Sequence, residues 1–486
     1  MRCLALAQAW QDAGGRAVFA MGEKVTAIES RLAAEKMPIF EISAPVASDA
    51  DARETAALAK THGASWVVVD GYRFDHSFLA KVRAGARPVL VLDDDGRSSG
   101  SNADLILNQN AFASRRAYST ARPETVLLLG NRYTLLRREF LQRAARRTTA
   151  PTASRLLVTF GAADPANTTG SVVVGLAALA DPELEVVVIL GPANPHRATV
   201  EATVRAAGPR FRLVEHAADL SSWMAWADLA IAAAGSTCWE LAFLQVPQLV
   251  VPIAENQRPV ARVLAERGAA IDLGWHEELH SAAVAQAVEA LRYDFDRRKT
   301  MQHAGRAFID GVGAQRVVLE LRSRQIALRP VGTADRRWVW ELANEPAARA
   351  MSFSTEPILW ETHCAWMDRR LADPNSRFFI ATNDASEPLG QVRFELADTG
   401  AVISTSLVTG QRGRGYGSAV ILAACRQLFR ETKVATVHAY IKPENAASVN
   451  AFVKGGFSAA DDADLSGQRA LHFTLPRTDL PEYADL

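Results

Sequence analysis

In the opening ten residues, MRCLALAQAW, the positions Cys3, Leu6, Ala7 and Trp10 fall at i, i+3, i+4 and i+7, one stripe of a helix. Gly14-Gly15 stops that helix before the strand-like RAVFA. From residue 16 to 108, short β-rich runs (MPIFEI, WVVVDG, PVLVLDDD, LILN) alternate with stretches of helical spacing such as DARETAALAKTHG. Strand and helix periods trading places in this way predict a parallel sheet with helical crossovers. The segment LQRAARRTTAPTAS, residues 141–154, is basic, rich in Thr, Ala and Pro and without apolar periodicity, and reads as a linker. A second α/β series follows, with strands RLLVTFG, LEVVVILG, FRLVEH, LAIAAAG and QLVVPI, and ends near residue 320. Two tandem doubly wound domains with a cleft between them accommodate both series.

From about 326 the texture changes. Trp becomes frequent, three predicted strands run consecutively (RFFIATN, LGQVRFEL, AVISTSLV), and only then come a glycine loop and a helix. That order predicts an α+β domain, within the usual domain size. The expected division is therefore 1–145, 153–320 and 326–476. Lys+Arg and Asp+Glu are both 54, so the formal charge is zero and nothing argues for a nucleic-acid partner or an anionic membrane surface. Small molecules are the expected partners. Cys3, Cys238, Cys364 and Cys425 are scattered without a C-x-x-C pair or metal-ligand spacing, which predicts buried thiols, no metal and a reducing compartment. No apolar run approaches the ~20 residues of a membrane span, and no signal peptide is recognised, so a cytoplasmic location is expected.

Candidate chemistry first gathers in AAAGSTCWELAFLQVPQLVVPIAENQ. Gly235, Ser236 and Thr237 stand between a buried strand and a helix, where backbone N–H groups and two hydroxyls suit a diphosphate. Glu240, about one turn in, is placed to accept hydrogen bonds from ribose hydroxyls. TFGAADPANTTG repeats the pattern: Gly161 permits close backbone approach, and Asp164, Asn167 and Thr168 either cap the helix or touch a ligand. Taken alone, each loop reads first as an ordinary capped turn.

In order along the chain, RCLALA, VVVDGYRFD, VLDDD, ADLILNQN, LLGNRYTLLRREF, VTFGAADP and AAAGSTCWELAFLQVPQLVVPIAENQ resemble the nucleotide-sugar hydrolases of pseudaminic acid biosynthesis, relatives of the MurG-like GT-B glycosyltransferases. The resemblance implies two Rossmann-like GT-B halves, with UDP on the second through Gly161, Gly235, Ser236, Thr237 and Glu240. It also implies that water displaces UDP from a 2,4-diacetamido-2,4,6-trideoxy sugar in the cleft. Sugar-facing roles would fall to Tyr72, Asn256 and Gln257; Tyr72 fits equally a half-buried aromatic at a strand end. Members of that family carry a strand, a glycine-rich turn and a histidine base ahead of the RC-L-ALA helix. The resemblance places these upstream of Met1, and the expectation is a start assigned at an internal Met. The remaining readings of this half are a glycosyltransferase and an inactive sugar-nucleotide-binding module.

The second constellation is AVISTSLVTGQRGRGYGSAVILAACRQLF. Arg412-x-x-Gly415-x-Gly417 follows a strand and precedes a helix with the apolar stripe Val420, Ala423, Ala424 and Leu428, so successive N–H groups can converge on a pyrophosphate. VHAYI and PENAASVNAFVKGGF follow. Together these resemble the GNAT acetyltransferases over about 326–476, and the front of the region resembles the amine acetyltransferases of the same sugar pathway. The resemblance implies acetyl-CoA as cosubstrate, its pyrophosphate on Arg412, Gly413, Arg414, Gly415, Tyr416, Gly417 and Ser418, and its pantetheine along a splayed strand at 402–408. Asn445 would contact the cofactor chain or cap a helix. Many relatives carry a tyrosine acid where Phe452 stands; Tyr416, Tyr440, Glu444 or a water chain are the alternatives. The expectation is a bifunctional enzyme acting on a UDP-linked amino sugar.

Overall fold

The computed structural model describes every residue except 86, 99, 101, 144–146, 180, 216–218, 399, 466 and 484–486. The boundary expected at 145 lies outside the described residues. The chain divides into two compact units, Met1–Ala9 with Ala17–Ala314, and Trp10–Arg16 with Gln315–Leu486.

In the first half of unit one, strands β1 (Phe19–Met21), β2 (Ile39–Glu41), β3 (Val67–Asp70), β4 (Val89–Leu92), β5 (Leu105–Asn108) and β6 (Val126–Leu129) all pair in parallel. They form two sheets: β1 with β2, and β3-β4-β5-β6. Every residue of β4 and β5 is buried, which is why these strands read as unbroken apolar runs. The helix Arg2–Asp12 buries Leu4 through Gln8, a broader band than the expected stripe, with Leu4 and Ala7 on Leu32 and Met37. The segment expected as a linker is held to the second half. Arg143 donates to Asp219 (2.6 Å) and Ser221 (2.8 Å), and Thr149 to Gln302 (2.6 Å).

The second half carries β7 (Arg155–Thr159), β8 (Glu185–Leu190), β9 (Phe211–Glu215), β10 (Leu229–Ala233), β11 (Gln248–Val251) and β12 (Ala270–Asp272) in the parallel order β12-β11-β10-β7-β8-β9. Alternate residues feed two cores: Leu157, Ala232 and Val250 pack with Trp239 on one face, and Leu156, Val158, Ile231 and Leu249 face the other. The strand order reverses between β7 and β10, so their carboxyl ends open a crevice, the place where doubly wound sheets hold ligands.

Unit two contains β13 (Ala327–Pro330), β14 (Ser376–Thr382), β15 (Pro388–Ala397), β16 (Gly400–Leu407), β17 (Thr436–Ile441), β18 (Ser458–Ala459), β19 (Ala463–Leu465) and β20 (Gln468–Pro476). The sheet order is β13-β14-β15-β16-β17-β20-β18, with β19 on β20. All contacts are antiparallel except β16 with β17, which the helix Tyr416–Glu431 connects as a crossover. That helix buries Val420, Ala424 and Leu428 against Phe394, Ile403 and Val437, while Val339 and Met367 cover Phe378 and Ile380. β16 and β17 pair only at Ala401↔Val437 and Val402↔His438, then part.

Candidate active sites

At the crevice of the six-stranded sheet, β7 runs into Gly161 (φ +78°) and β10 into Gly235. The loop after β8 passes so close that a Cβ on Gly191 would lie 2.1 Å from the Gly161 carbonyl oxygen. Asp164 is buried and accepts from the Thr168 and Thr169 N–H groups (2.9 and 2.8 Å) and from the Thr169 hydroxyl (2.7 Å). Asn167 accepts from Gly170 N–H at 3.3 Å. Both side chains thus cap the helix Thr168–Ala177, as one of the two sequence readings has it. Ser236 is exposed and makes no capping bond to the helix Thr237–Phe243. Gln257 accepts from Ile253 N–H (3.0 Å) through Oε1, and its Nε2 lies 3.8 Å from where a Gly235 Cβ would stand. Gly235 and Gln257 therefore face one another, with Asn256 exposed beside them.

Glu240 is held by protein through one carboxylate oxygen. Arg137 donates to its Oε1 at 2.9 Å, and burial pushes the carboxyl above the usual range against the pull of that guanidinium. Sequence reading missed Arg137 as a partner, since the basic run LLRREF suggests only charge.

In the first half, Tyr72 is 62% exposed, more than the half-buried alternative requires. Its hydroxyl donates to Asp94 (2.7 Å), and the Arg97 guanidinium lies 5.4 Å from its ring. Partial burial of the phenol, then the Asp94 charge, push its pKa up to about 12. Asp94 also accepts from Arg2 (2.5 Å) and Asn110 (3.2 Å), and Arg2 reaches Asp70 at 2.8 Å. Burial and Asp70 push the Cys3 thiol up to about 12, so it is no nucleophile at neutral pH. Arg2 and Asp94 were missed; the signal was the acidic VLDDD run directly after a buried strand, which calls for a cation. Among the described residues no hydrogen bond joins Tyr72 to Asn256 or Gln257.

In unit two, Gly413 (φ +73°) and Gly415 (φ +81°) hold left-handed turns leading into the helix at Tyr416. The first N–H groups of a helix have no partner within it and are donors for an anion. Arg412 turns back, pairing with Glu345 (2.6 Å) and donating to the Leu407 carbonyl (3.0 Å), and so ties the loop to the end of β16. The exposed Arg414 offers its carbonyl to Arg322 (2.8 Å), whose guanidinium lies 5.9 Å from the Tyr416 ring. Gly417 is half-buried and Ser418 buried. Asn445 caps its helix, accepting from Ser448 N–H at 3.1 Å. Phe452 is a core residue, edge-on to Phe457 at 4.9 Å.

Residues 156–316 match the glycosyltransferase family 28 C-terminal domain, and residues 325–458 match the acetyltransferase (GNAT) domain. The spore coat polysaccharide biosynthesis protein SpsG of Bacillus subtilis (strain 168) is 26% identical over 243 residues, 50% of this chain and 71% of that one. A UDP-N-acetylglucosamine--N-acetylmuramyl-(pentapeptide) pyrophosphoryl-undecaprenol N-acetylglucosamine transferase of Nitrosococcus oceani is 37% identical over 118 residues, 23% of this chain and 33% of that one. Among solved structures, spermidine N-acetyltransferase from Vibrio cholerae in complex with CoA and spermine aligns with a TM-score of 0.30 and 17% identity, covering 33% of this chain and 99% of that one. The chain thus joins a glycosyltransferase-like family 28 domain to a GNAT acetyltransferase domain within a mixed α/β architecture. Among the described residues no helix is long and apolar enough to cross a membrane.

Proposed function

We propose that the chain is a bifunctional cytoplasmic enzyme of pseudaminic acid biosynthesis that works on a UDP-linked amino sugar. Unit two transfers the acetyl group of acetyl-CoA to the sugar's 4-amino group. Unit one hydrolyses UDP from the product, UDP-2,4-diacetamido-2,4,6-trideoxy-β-L-altropyranose. The observation that carries the reading is the pairing, on one chain, of a glycine-lined crevice at a strand-order reversal with parted parallel strands beside a left-handed glycine loop.

In acetyl transfer, the N–H groups from Gly413 to Ser418 hold the cosubstrate's pyrophosphate, and the gap between β16 and β17 takes its pantetheine. The amine lone pair attacks the thioester carbon; the C–N bond forms, the C–S bond breaks, and the sulfur leaves as a thiol with a proton from nitrogen. In unit one, Gly161 and Gly235 to Thr237 receive the diphosphate and Glu240 the ribose. Tyr72, Asn256 and Gln257 line the sugar's side, where water replaces UDP at the anomeric carbon. The family 28 match favours a second reading, in which an acceptor hydroxyl takes the place of water.

The test incubates the full chain with acetyl-CoA and UDP-2-acetamido-4-amino-2,4,6-trideoxy-β-L-altropyranose and follows thiol and UDP release separately. Thiol release that depends on the amino sugar, followed by UDP release only after acetylation, is expected. Thiol without UDP removes the hydrolase assignment, and UDP released only when a sugar acceptor is added selects the transferase. No thiol release removes the acetyl-transfer assignment.

A further inference from the structure

β17 and β20 run antiparallel with His438 opposite Thr474 and Tyr440 opposite His472. Side chains alternate along a strand, so His438, Tyr440, His472 and Thr474 share one face. The intervening Val437, Ala439, Ile441, Phe473 and Leu475 are buried in the core beneath the helix Tyr416–Glu431. On the polar face the rings form one row: His438 meets His472 edge to edge, with centroids 5.3 Å apart and planes at 20°, and Tyr440 lies nearly parallel to His472 at 4.7 Å and 16°. His438 Nδ1 lies 3.0 Å from His472 Nε2. Two imidazole nitrogens at that distance accommodate one proton between them: two protons repel, and two lone pairs repel.

His438 and Tyr440 stand where β16 and β17 separate. His438 belongs to the last residue pair before the strands part, and Tyr440 lies two residues further along the gap on the same face. Across the gap the corresponding β16 position is the exposed Ser404. The His438 ring leans back toward the paired end of the strands, where a Cβ on Gly400 would lie 2.8 Å from His438 Nε2 and 2.7 Å from the Thr436 carbonyl oxygen. Among the described residues, the other charged or titratable groups of this face's strands include Lys442 beyond Tyr440 and, on β15, Arg393 and Glu395, which pair with each other at 3.2 Å. Glu395 is also held by Arg370 at 3.0 Å.

We infer that the His438–His472 pair is the proton acceptor for the attacking amine, with Tyr440 holding the His472 ring in register; this rests on the acetyl-transfer reading above. Burial, and then repulsion from His472, hold His438 below the usual histidine range, so it is neutral and able to accept at pH 7. The acceptor arrives as an ammonium ion and gives one proton to the pair. The freed lone pair forms the C–N bond, the C–S bond breaks, and the departing sulfur takes the second proton from nitrogen. The pair then returns its proton to water.

The test measures kcat and KM against pH for the full chain, with acetyl-CoA and the same UDP-linked 4-amino sugar, in the wild type, His438→Asn and His472→Asn. Either substitution is expected to lower kcat about a hundredfold, the low end for removal of a general base. KM and calorimetric affinity for acetyl-CoA should stay unchanged, the acidic limb of the profile should be lost, and added imidazole should restore part of the rate. A merely structural role would lower acetyl-CoA affinity and resist imidazole, and that result overturns the proposal. A working wild type whose variants keep their rate and acidic limb overturns it alone. A wild type that forms no product overturns both this inference and the acetyl-transfer reading.

Discussion

At Gly415 the backbone enters the left-handed region, φ +81°, and a methyl group there would lie 2.9 Å from Arg322 Nη1. Alanine at this point is strained by roughly 1 kcal/mol and crowds the guanidinium that holds the Arg414 carbonyl. Gly415→Ala is therefore expected to weaken acetyl-CoA binding about tenfold, equivalent to about 1.4 kcal/mol, in calorimetry on the full chain. Unchanged affinity would remove the loop from pyrophosphate binding. The glycine was legible because its demand is local: a strand, a turn with φ > 0 and a helix follow within a few positions. Arg322, Arg137 and Arg2 were not, because each acts on a group far along the chain. Arg137 meets Glu240 across 103 positions, Arg322 meets Arg414 across 92, and Arg2 meets Asp70 across 68. No periodicity encodes a partner at that range.

Among the elements, the first central strand of the second half is fastened by a carboxylate just ahead of its neighbour. Asp228 precedes β10 and accepts from the N–H groups of Ser154 and Arg155 (3.2 and 3.1 Å) and from the Arg155 guanidinium (2.8 Å), where β7 begins. Burial alone would raise its pKa; Arg155 and the two N–H groups outweigh it and hold the carboxyl below the usual range. The unfolded value is about 3.9, so the folded state binds fewer protons. The stabilisation is present above about pH 4 and disappears as pH falls through the folded value. Asp228→Ala should cost about 2 kcal/mol in urea unfolding at pH 7, through the unpaired N–H groups of Ser154 and Arg155, the half-exposed Arg155 guanidinium turning to water, and should flatten the loss of stability below about pH 4. An unchanged urea midpoint at pH 7 would show the fastening to be idle. Such strands were readable because full burial makes them continuous apolar runs. The parting of β16 from β17 was implied only by resemblance, because strand sequence shows burial and alternation but not where a neighbour leaves.

For the whole molecule, three glycine loops, each set between a strand and a helix, were legible as places for a phosphate-bearing ligand. The polar cluster around Tyr72 was not, since Tyr72, Asp94 and Arg2 meet only through folding. Among the described residues, the apolar clusters that hold Leu157, Leu156, Val91 and Leu32 draw on residues of unit one, and those that hold Phe394 and Met367 on residues of unit two. A ligand that binds only the folded form of one unit stabilises that unit, by about 2.7 kcal/mol at a hundred times its Kd. Scanning calorimetry of the full chain should therefore show two transitions, with UDP raising one and acetyl-CoA the other. Glu240→Ala, which removes the carboxylate assigned to the ribose, should suppress the UDP shift and leave the acetyl-CoA shift intact. Gly415→Ala should do the reverse. Because the readout is the ligand-induced shift, the loss of one of the two carboxylate partners of Arg137, which keeps Glu139 at 3.0 Å, lowers the starting temperature without confounding the comparison. Both ligands moving one transition, or UDP shifting the Glu240→Ala chain as far as the wild type, would break the assignment of one ligand to each unit.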